Sequence, residues 1–158
     1  MIFNLFSIPV YNCQLNFDNK KIEKYCYDLK EKDKGRVISN EGGWQSNSLD
    51  GYIPDLNELL IEILGRTNSF AKDIGLKTPM KLINGWVNIN RYKDYNVEHS
   101  HPGCTMSGVF YVSTPKDCGD LINSKISLNW EKRSYEIGIF YQPHNESGGI
   151  IFNLYGFQ

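Results

Sequence analysis

The sequence has no long hydrophobic run and no excess of charge of either sign. No stretch approaches the roughly 20 consecutive apolar residues of a membrane-spanning helix. The 17 basic and 18 acidic side chains leave a net charge of −1, which gives no electrostatic attraction to nucleic acids or to an anionic membrane surface. Residues 1–9 lack the basic segment and the uninterrupted apolar segment of a signal peptide. We therefore expect a cytoplasmic protein that binds neither a membrane nor a nucleic acid.

The patterns of cysteine and glycine argue against further classes of site. The four cysteines, Cys13, Cys26, Cys104 and Cys118, form no C-x-x-C pair, which argues against a zinc ribbon and favours reduced thiols. The glycines in residues 39–46 lack the spacing and the Lys-Ser/Thr ending of a phosphate-binding loop. The sequence thus gives no support to a redox dithiol, a nucleotide-binding enzyme or a nuclease.

The 158 residues are predicted to form one domain, residues 1–158, with two parts of different character. Residues 1–79 combine an opening strand with helical segments. In residues 80–158 apolar and polar residues alternate over short stretches, which is typical of β-strands. Helices followed by closely spaced strands predict an α+β fold whose strands form a jelly roll.

Two helices are predicted in the first part. The first begins after Asp18, a suitable N-cap residue, and ends before Gly35. Its core-facing residues, which follow a helical spacing, are Ile22, Tyr25, Cys26 and Leu29. The second begins near Asp55, which forms a capping-box-like pair with Glu58, and it ends at Gly75. Its apolar stripe, which we expect to pack across one face of a sheet, contains Leu56, Leu59, Leu60, Ile63, Leu64, Phe70 and Ile74.

Seven strands are predicted. The first covers residues 2–11, where Pro9 indicates an edge strand. The others lie near residues 81–92, 96–101, 106–113, 119–128, 135–141 and 149–154. In the strand at 81–92 polar and aromatic side chains alternate onto one face, which fits either a barrel interior or a solvent-exposed sheet face. The residues of this face are Trp86, Asn88, Asn90 and Tyr92. Trp44 lies in the glycine-containing loop of residues 39–46. It is either a buried residue that fixes a turn or part of an active-site rim.

The chain has only three histidines, and two of them, His99 and His101, are separated by a single residue. In an extended segment residues two apart point to the same face, so both imidazoles are predicted to lie on one side of the strand at 96–101. Two imidazoles on one face at the end of a β structure can begin a metal site, although such a pair also occurs without any metal. The third, His144, lies in a turn-like stretch and is predicted to be exposed in a loop.

Five segments of the chain together form a recognisable set of motifs. They are Leu5-Phe6-Ser7-Ile8-Pro9-Val10-Tyr11, Asn40-x-Gly42-Gly43-Trp44-Gln45-Ser46, Gly85-Trp86-Val87-Asn88-Ile89-Asn90, Asn96-x-x-His99-x-His101-Pro102 and Ser107-Gly108-Val109-Phe110-Tyr111-Val112. Through these segments, which span essentially the whole chain in the same order, the chain resembles a family of 2-oxoglutarate/Fe(II)-dependent oxygenases of marine phages and bacteria. The resemblance implies a double-stranded β-helix (a cupin-like jelly roll) with N-terminal helices packed on one sheet.

The resemblance also implies the chemistry and its residues. The family would bind Fe(II) and 2-oxoglutarate at the barrel mouth and hydroxylate a substrate while 2-oxoglutarate is converted to succinate. By position His99 is a metal ligand, and His101 stands where the wider superfamily usually has Asp or Glu. An imidazole there removes one negative charge and should weaken iron binding. Asn96 and Tyr111 are the candidates for hydrogen bonds to the carboxylates of 2-oxoglutarate.

The end of the chain departs from the family pattern. The resemblance leads us to expect a distal histidine ligand and a basic residue for 2-oxoglutarate after Phe152, whereas this sequence continues only to Gln158. These features predict a C-terminally truncated copy that lacks its last strands and full oxygenase activity. A barrel without those strands would expose a sheet edge, so we expect a homodimer or higher oligomer that pairs through the open edge or the C-terminal strand.

Three functions are therefore compatible with the sequence. The first is an Fe(II)/2-oxoglutarate oxygenase that hydroxylates an unidentified substrate. The second is a non-catalytic jelly-roll protein that retains a two-histidine metal site or none. The third is a cupin-like metal enzyme of another class, such as a zinc isomerase or hydrolase. Iron-dependent turnover of 2-oxoglutarate distinguishes the first from the other two.

Overall fold

A computed structural model describes residues 9–49, 51, 53–99, 101, 104–114, 120–123, 126–129, 136–141 and 149–157. These residues contain two helices, α1 (Asn19–Lys32) and α2 (Asn57–Asp73). Their strands are β1 (Val10–Gln14), β2 (Asn40–Glu41), β3 (Trp44–Gln45), β4 (Lys81–Asn90), β5 (Tyr95–Asn96), β6 (Met106–Tyr111), β7 (Asp120–Asn123), β8 (Ile126–Asn129), β9 (Glu136–Tyr141) and β10 (Gly149–Phe157). Mixed helix and strand confirms the predicted class. In this part of the chain neither helix is long and apolar enough to cross a membrane.

Helix α1 begins where the sequence predicts. The Asp18 side chain accepts a hydrogen bond of 3.2 Å from the Lys21 N–H, which satisfies one of the free donors of the first turn. Ile22 and Cys26 are buried on one face, and the lysine-rich opposite face meets solvent. The helix ends at Lys32, before Gly35 as the sequence predicts.

Helix α2 differs from its prediction at the start. The capping box of Asp55 and Glu58 is wrong, because the helix begins after Leu56 without a side-chain cap. The Asp55 carboxylate instead lies 3.3 Å from Lys21 Nζ, an ion pair that links the starts of the two helices. Tertiary contact has therefore replaced the local cap. The helix continues through Gly65 to Asp73.

The largest sheet has six strands in the order β1-β9-β6-β10-β4-β3. β10 is parallel to both β4 and β6, and the other neighbours are antiparallel. β1 pairs only with β9 within this sheet, which confirms the edge position that Pro9 indicates. The expected opening strand at 2–11 otherwise lies mostly outside the described residues, and β1 runs on to Gln14.

Three other strand predictions need correction. The strand predicted at 96–101 is wrong, because β5 ends at Asn96, where its pairing with β2 also ends. The segment predicted at 119–128 contains two short antiparallel strands, β7 and β8. The C-terminal strand is longer than predicted and lies inside the sheet, paired on both sides. It therefore offers no open edge, and the edges of the six-stranded sheet are β1 and β3.

The described strands fit a jelly roll only in part. Besides the six-stranded sheet there are two antiparallel pairs, β2 with β5 and β7 with β8. These strands do not complete a double-stranded β-helix within the described residues, so that finer fold stays a prediction. The single domain over residues 1–158 likewise stays a prediction.

The hydrophobic core lies between one face of the sheet and the two helices. Val87 and Ile89 of β4 and Phe110 of β6 belong to the same buried cluster as residues of both helices. The largest fully buried side chains are Phe110, Leu56, Leu59, Ile63, Ile89 and Met106. This packing confirms that the helices cover one sheet face, and it leaves the opposite face for other side chains.

That opposite face, which we call the Trp86 face, is also buried. Trp86 and Tyr111 are 6% and 5% exposed but lie outside the helix-packed cluster. Asn88 is fully buried on the same face of β4 as Trp86, since the two residues are two apart in a strand. The sequence left open whether these residues line an interior or meet solvent. The burial of Trp86, Asn88 and Asn90 excludes a solvent-exposed sheet face for β4. The prediction is wrong for Tyr92, which lies beyond the end of β4 and is 86% exposed.

The turn between β2 and β3 requires glycine. Gly43 has φ +60°, and a Cβ there would collide with Asn90 Oδ1 and lie 3.2 Å from the Ile89 carbonyl oxygen. Gly43→Ala is therefore expected to lower the free energy of unfolding by about 2–3 kcal/mol, measured by urea denaturation. Gly65→Ala is the matched control, because Gly65 lies within α2, where an added methyl group would meet no atom within 4 Å. There the same substitution should stabilise the protein by roughly 0.5–1 kcal/mol, and equal losses at both sites would contradict this account of the turn.

Candidate functional site

The two neighbouring histidines lie beyond the end of β5 and face each other. Their ring centroids are 4.7 Å apart and the ring planes are nearly perpendicular, at 88°. His99 is exposed and His101 is half-buried. The proximity that the sequence predicts is thus present, although a loop and not an extended strand produces it.

His99 is oriented by its own backbone. Its Nδ1 atom lies 2.8 Å from the Val97 carbonyl oxygen. Because a carbonyl oxygen can only accept, Nδ1 donates this hydrogen bond, so in the neutral ring Nε2 is the nitrogen with the free lone pair. Metal-binding histidines in proteins commonly donate their second ring N–H to a carbonyl or carboxylate in this way. The ring is therefore prepared to offer Nε2 to a metal ion.

His101 is held against the Trp86 face. Its ring centroid lies 5.7 Å from that of Trp86. Burial lowers the pKa of His101 to about 4, and the adjacent His99 contributes to this lowering. The imidazole is thus neutral at pH 7, which is the form that binds metal ions.

The described residues bring two imidazoles together, without a third candidate metal ligand beside them. No group of three His, Cys, Asp or Glu side chains close enough to hold a metal ion occurs among them. Glu98, between the two histidines, is exposed. His144, predicted to be exposed, lies outside the described residues. The donor set accordingly fits two positions of a metal site, and two neutral imidazoles suit Fe(II) or Zn(II).

Asn96 is placed in a network of short polar contacts. Its Nδ2 donates to Ser39 Oγ at 3.0 Å, and its Oδ1 accepts from Asn90 Nδ2 at 3.4 Å. Its backbone pairs with Asn40 of β2. These contacts fix the segment that leads to His99.

Tyr111 lies on the Trp86 face, two strands away from Asn88. Residue 155 of β10 is the partner of Asn88 on one side and of Tyr111 on the other, and partners in register share a face. Asn88 and Tyr111 are therefore two interstrand spacings apart, which is roughly 10 Å between their backbones. The structure therefore brings His101, Trp86 and Tyr111 to one side of the sheet, with Asn96 at the entrance to the histidine loop.

Sequence reasoning assigned no role to two polar residues of this region, Arg36 and Gln45. Arg36 pairs with Gln45 through an isolated β-bridge, and Gln45 is the partner of Asn88 on β4. The guanidinium carbon of Arg36 lies 6.0 Å from the centroid of the Trp86 ring. No short-range sequence pattern signals these contacts, because about 50 residues separate Arg36 from Trp86 along the chain.

The loop that carries Arg36 is fixed by Asp33. The Asp33 carboxylate accepts three hydrogen bonds of 2.8 Å, from the backbone N–H groups of Gly35 and Asn47 and from Asn47 Nδ2. The Asn47 N–H, followed by the Gly35 N–H, holds the pKa of this carboxyl below its ordinary value of 3.8. The Asp33 backbone oxygen also accepts from Trp44 Nε1 at 3.1 Å. Asp33 therefore anchors the loop that carries Arg36.

A pH-dependent stability should follow from Asp33. A carboxylate with a lowered pKa stabilises the folded state above its unfolded pKa, and this contribution is lost as the pH falls through the folded pKa. Asp33→Asn should lower the free energy of unfolding at pH 7, and the difference from wild type should shrink towards pH 3. Asp73→Asn, at an exposed position of α2, controls for the loss of one negative charge. A difference that stays constant from pH 7 to pH 3 would contradict the assigned role.

A surface cavity elsewhere is not part of this site. It has a volume of about 450 Å³ and lies beside the start of α1, lined by residues 14–20. No histidine or cysteine lines it. The two histidines that could bind a metal ion lie instead at the Trp86 face.

One comparison with known proteins bears on this site. Residues 84–147 match a family model described as "Putative 2OG-Fe(II) oxygenase". This segment resembles a 2OG-Fe(II) oxygenase. It contains all four predicted site residues, Asn96, His99, His101 and Tyr111, and the family implies Fe(II) and 2-oxoglutarate as cofactor and co-substrate. No curated protein and no solved structure matches the chain.

Proposed function

We propose that this chain is an Fe(II)/2-oxoglutarate-dependent oxygenase, a hydroxylase, in which His99 and His101 bind the metal. The observation that carries the proposal is the contact between the two imidazoles, 4.7 Å between centroids, within the segment that matches the family. The Nδ1 contact that leaves His99 Nε2 as a donor atom supports it. Neutral His101, packed on Trp86, supports a second ligand at the same place.

Each proposed residue has a role in binding. His99 offers Nε2 from the exposed side, and His101 offers an imidazole from the Trp86 face. Tyr111, and Asn96 through its amide, would donate hydrogen bonds to carboxylates of 2-oxoglutarate. Bound Fe(II) would supply the redox chemistry, in which substrate, O₂ and 2-oxoglutarate yield hydroxylated substrate, succinate and CO₂.

The charge of the ligand set influences iron affinity. Two imidazoles without a carboxylate leave the full charge of the metal ion uncompensated by these ligands, whereas the usual facial triad contains one carboxylate. We therefore expect weaker Fe(II) binding than at a triad. Substitution of His101 by Asp is the direct test of this point.

The test of the function is succinate production from 2-oxoglutarate under air. Wild type, His99→Ala and His144→Ala are compared with Fe(II), with Zn(II) and without metal. We expect Fe(II)-dependent succinate from wild type and His144→Ala, and none from His99→Ala. Metal binding without succinate would favour the non-catalytic metal-binding protein, and turnover of other substrates with Zn(II) would favour another cupin-like enzyme.

We also propose that the chain is cytoplasmic and forms a homodimer or higher oligomer through an open sheet edge. In the described six-stranded sheet the edges are β1 and β3, of which β1 has five residues and β3 has two. An unpaired edge of five residues is long enough to pair with a second copy. Sedimentation equilibrium should show a species of twice the monomer mass, and a monomer at all concentrations would contradict the proposal.

A further inference from the structure

Arg36 lies on the Trp86 face although it comes from the N-terminal part of the chain. Its backbone N–H donates to the Gln45 carbonyl oxygen at 2.9 Å, and the two residues form a β-bridge. Gln45 is in turn the partner of Asn88. Directly opposite residues of antiparallel strands project to the same face, so this row places Arg36 beside Trp86. The 6.0 Å separation of the guanidinium carbon and the Trp86 ring agrees with that placement.

The charge of Arg36 is not compensated by an ion pair in the described part of the chain. The ion pairs there are Lys21–Asp55, Lys24–Asp28 and Arg66–Glu62. Asp33 interacts with Arg36 electrostatically, but its carboxylate already accepts three hydrogen bonds from Gly35 and Asn47.

One side-chain polar atom of Arg36 and one of Gln45 lack a hydrogen-bond partner in the described part of the chain. Arg36 Nε is buried and has no acceptor within the described residues. Gln45, 3% exposed, has a buried Oε1 without a donor there. Rotation of the amide by half a turn would present its Nε2 instead, so Gln45 can serve a ligand as donor or acceptor. A buried guanidinium N–H and a buried amide oxygen without partners are costly unless something binds them.

We propose that Arg36, with Gln45 beside it, binds a carboxylate group of a ligand that lies on the Trp86 face. The planar guanidinium matches a carboxylate with two parallel hydrogen bonds, and the tryptophan ring holds the guanidinium from one side. Arg36 precedes residues 84–147, so the family match does not assign it. The proposal rests on the proposed function only for the identity of one ligand, 2-oxoglutarate. The carboxylate of an acidic substrate is the other source.

Metal-free calorimetric titration tests the site without any contribution from iron. Glutarate, a dicarboxylate that lacks the keto group, and 2-oxoglutarate are titrated into wild type, Arg36→Gln, Arg36→Lys and Arg66→Gln. We expect Arg36→Gln to weaken the binding of both by roughly tenfold or more, because a charge-assisted hydrogen bond is lost. Arg36→Lys should be intermediate. Arg66→Gln removes an equal charge from α2, where Arg66 pairs with Glu62 on the surface, and should have no effect.

A competition separates the two sources of carboxylate. Displacement of glutarate by 2-oxoglutarate assigns Arg36 to the co-substrate. Simultaneous binding of glutarate and iron-chelated 2-oxoglutarate, with glutarate alone sensitive to Arg36→Gln, assigns it to a substrate carboxylate. Either result supports the carboxylate site.

Other results would overturn the proposal. Equal affinities of wild type and Arg36→Gln would show that Arg36 does not contact the ligand. Failure of wild type to bind either dicarboxylate, together with a lower midpoint of thermal unfolding for Arg36→Gln, would show that Arg36 has an internal structural role. Iron-dependent succinate production can persist in both cases, so failure of this site is distinguishable from failure of the proposed function.

Discussion

Phe110→Ala is expected to lower the free energy of unfolding by about 3–5 kcal/mol. Phe110 has no exposed surface and lies on β6, between β9 and β10. Its ring belongs to the cluster in which α1 and α2 pack on the sheet. Truncation removes the buried ring and leaves a cavity that rigid neighbours on a central strand cannot fill. Urea denaturation followed by circular dichroism measures the loss.

Ile61→Ala is the matched control for this prediction. Ile61 is on α2 but is 62% exposed, so its truncation removes little buried surface. We expect a change of less than about 0.5 kcal/mol. A loss below about 1 kcal/mol in Phe110→Ala would contradict the packing of the helices on this face of the sheet.

His99→Ala and His101→Ala are each expected to weaken Fe(II) binding by roughly 100-fold or more. Loss of a residue that merely supports a ligand commonly costs 10–100-fold, so loss of a ligand should cost at least that much. Anaerobic equilibrium dialysis gives the dissociation constants. His99→Ala should leave metal-free stability almost unchanged, because His99 is exposed, whereas His101→Ala also removes the ring that contacts Trp86.

His144→Ala completes this comparison, since it is the third histidine of the chain. It is expected to bind iron as wild type does. Unchanged affinity in His99→Ala would remove His99 from the ligand set. A loss in His144→Ala equal to that in His99→Ala would instead make His144 the third ligand.

Local signals predicted the helices, and their failures have tertiary causes. The Asp18 cap and the burial of Ile22 and Cys26 follow from residues within one or two turns of each other. Asp55 carries the same kind of local signal, yet its carboxylate contacts Lys21 of the other helix. A potential capping residue can instead form an ion pair with a lysine that is distant in sequence. The sequence near Asp55 contains no information about that partner.

The strands show the same limit more strongly. Alternation located β4, β6 and β9 to within a few residues, but it carries no information about neighbours. β10 lies between β4 and β6, more than 35 residues from either along the chain. Arg36 reaches the Trp86 face through pairings of this non-local kind, which explains why sequence reasoning overlooked it.

The histidine pair illustrates a correct prediction with an incorrect premise. Strand alternation was expected to align His99 and His101, whereas β5 ends at Asn96. Two residues that are nearly adjacent in sequence can meet in a loop as well as in a strand. The predicted proximity of His99 and His101 is therefore correct although the predicted strand is not. The Nδ1 contact with Val97, which orients His99, is a property of that loop alone.

The most direct test of the proposed function is the visible absorption of the anaerobic complex with Fe(II) and 2-oxoglutarate, in wild type and in His99→Ala. Chelation of iron by 2-oxoglutarate gives a weak charge-transfer band. We predict that the band appears in wild type, persists in His144→Ala and is absent in His99→Ala. No band in wild type at high Fe(II) and 2-oxoglutarate, or an undiminished band in His99→Ala, would contradict an oxygenase site built on the His99–His101 pair.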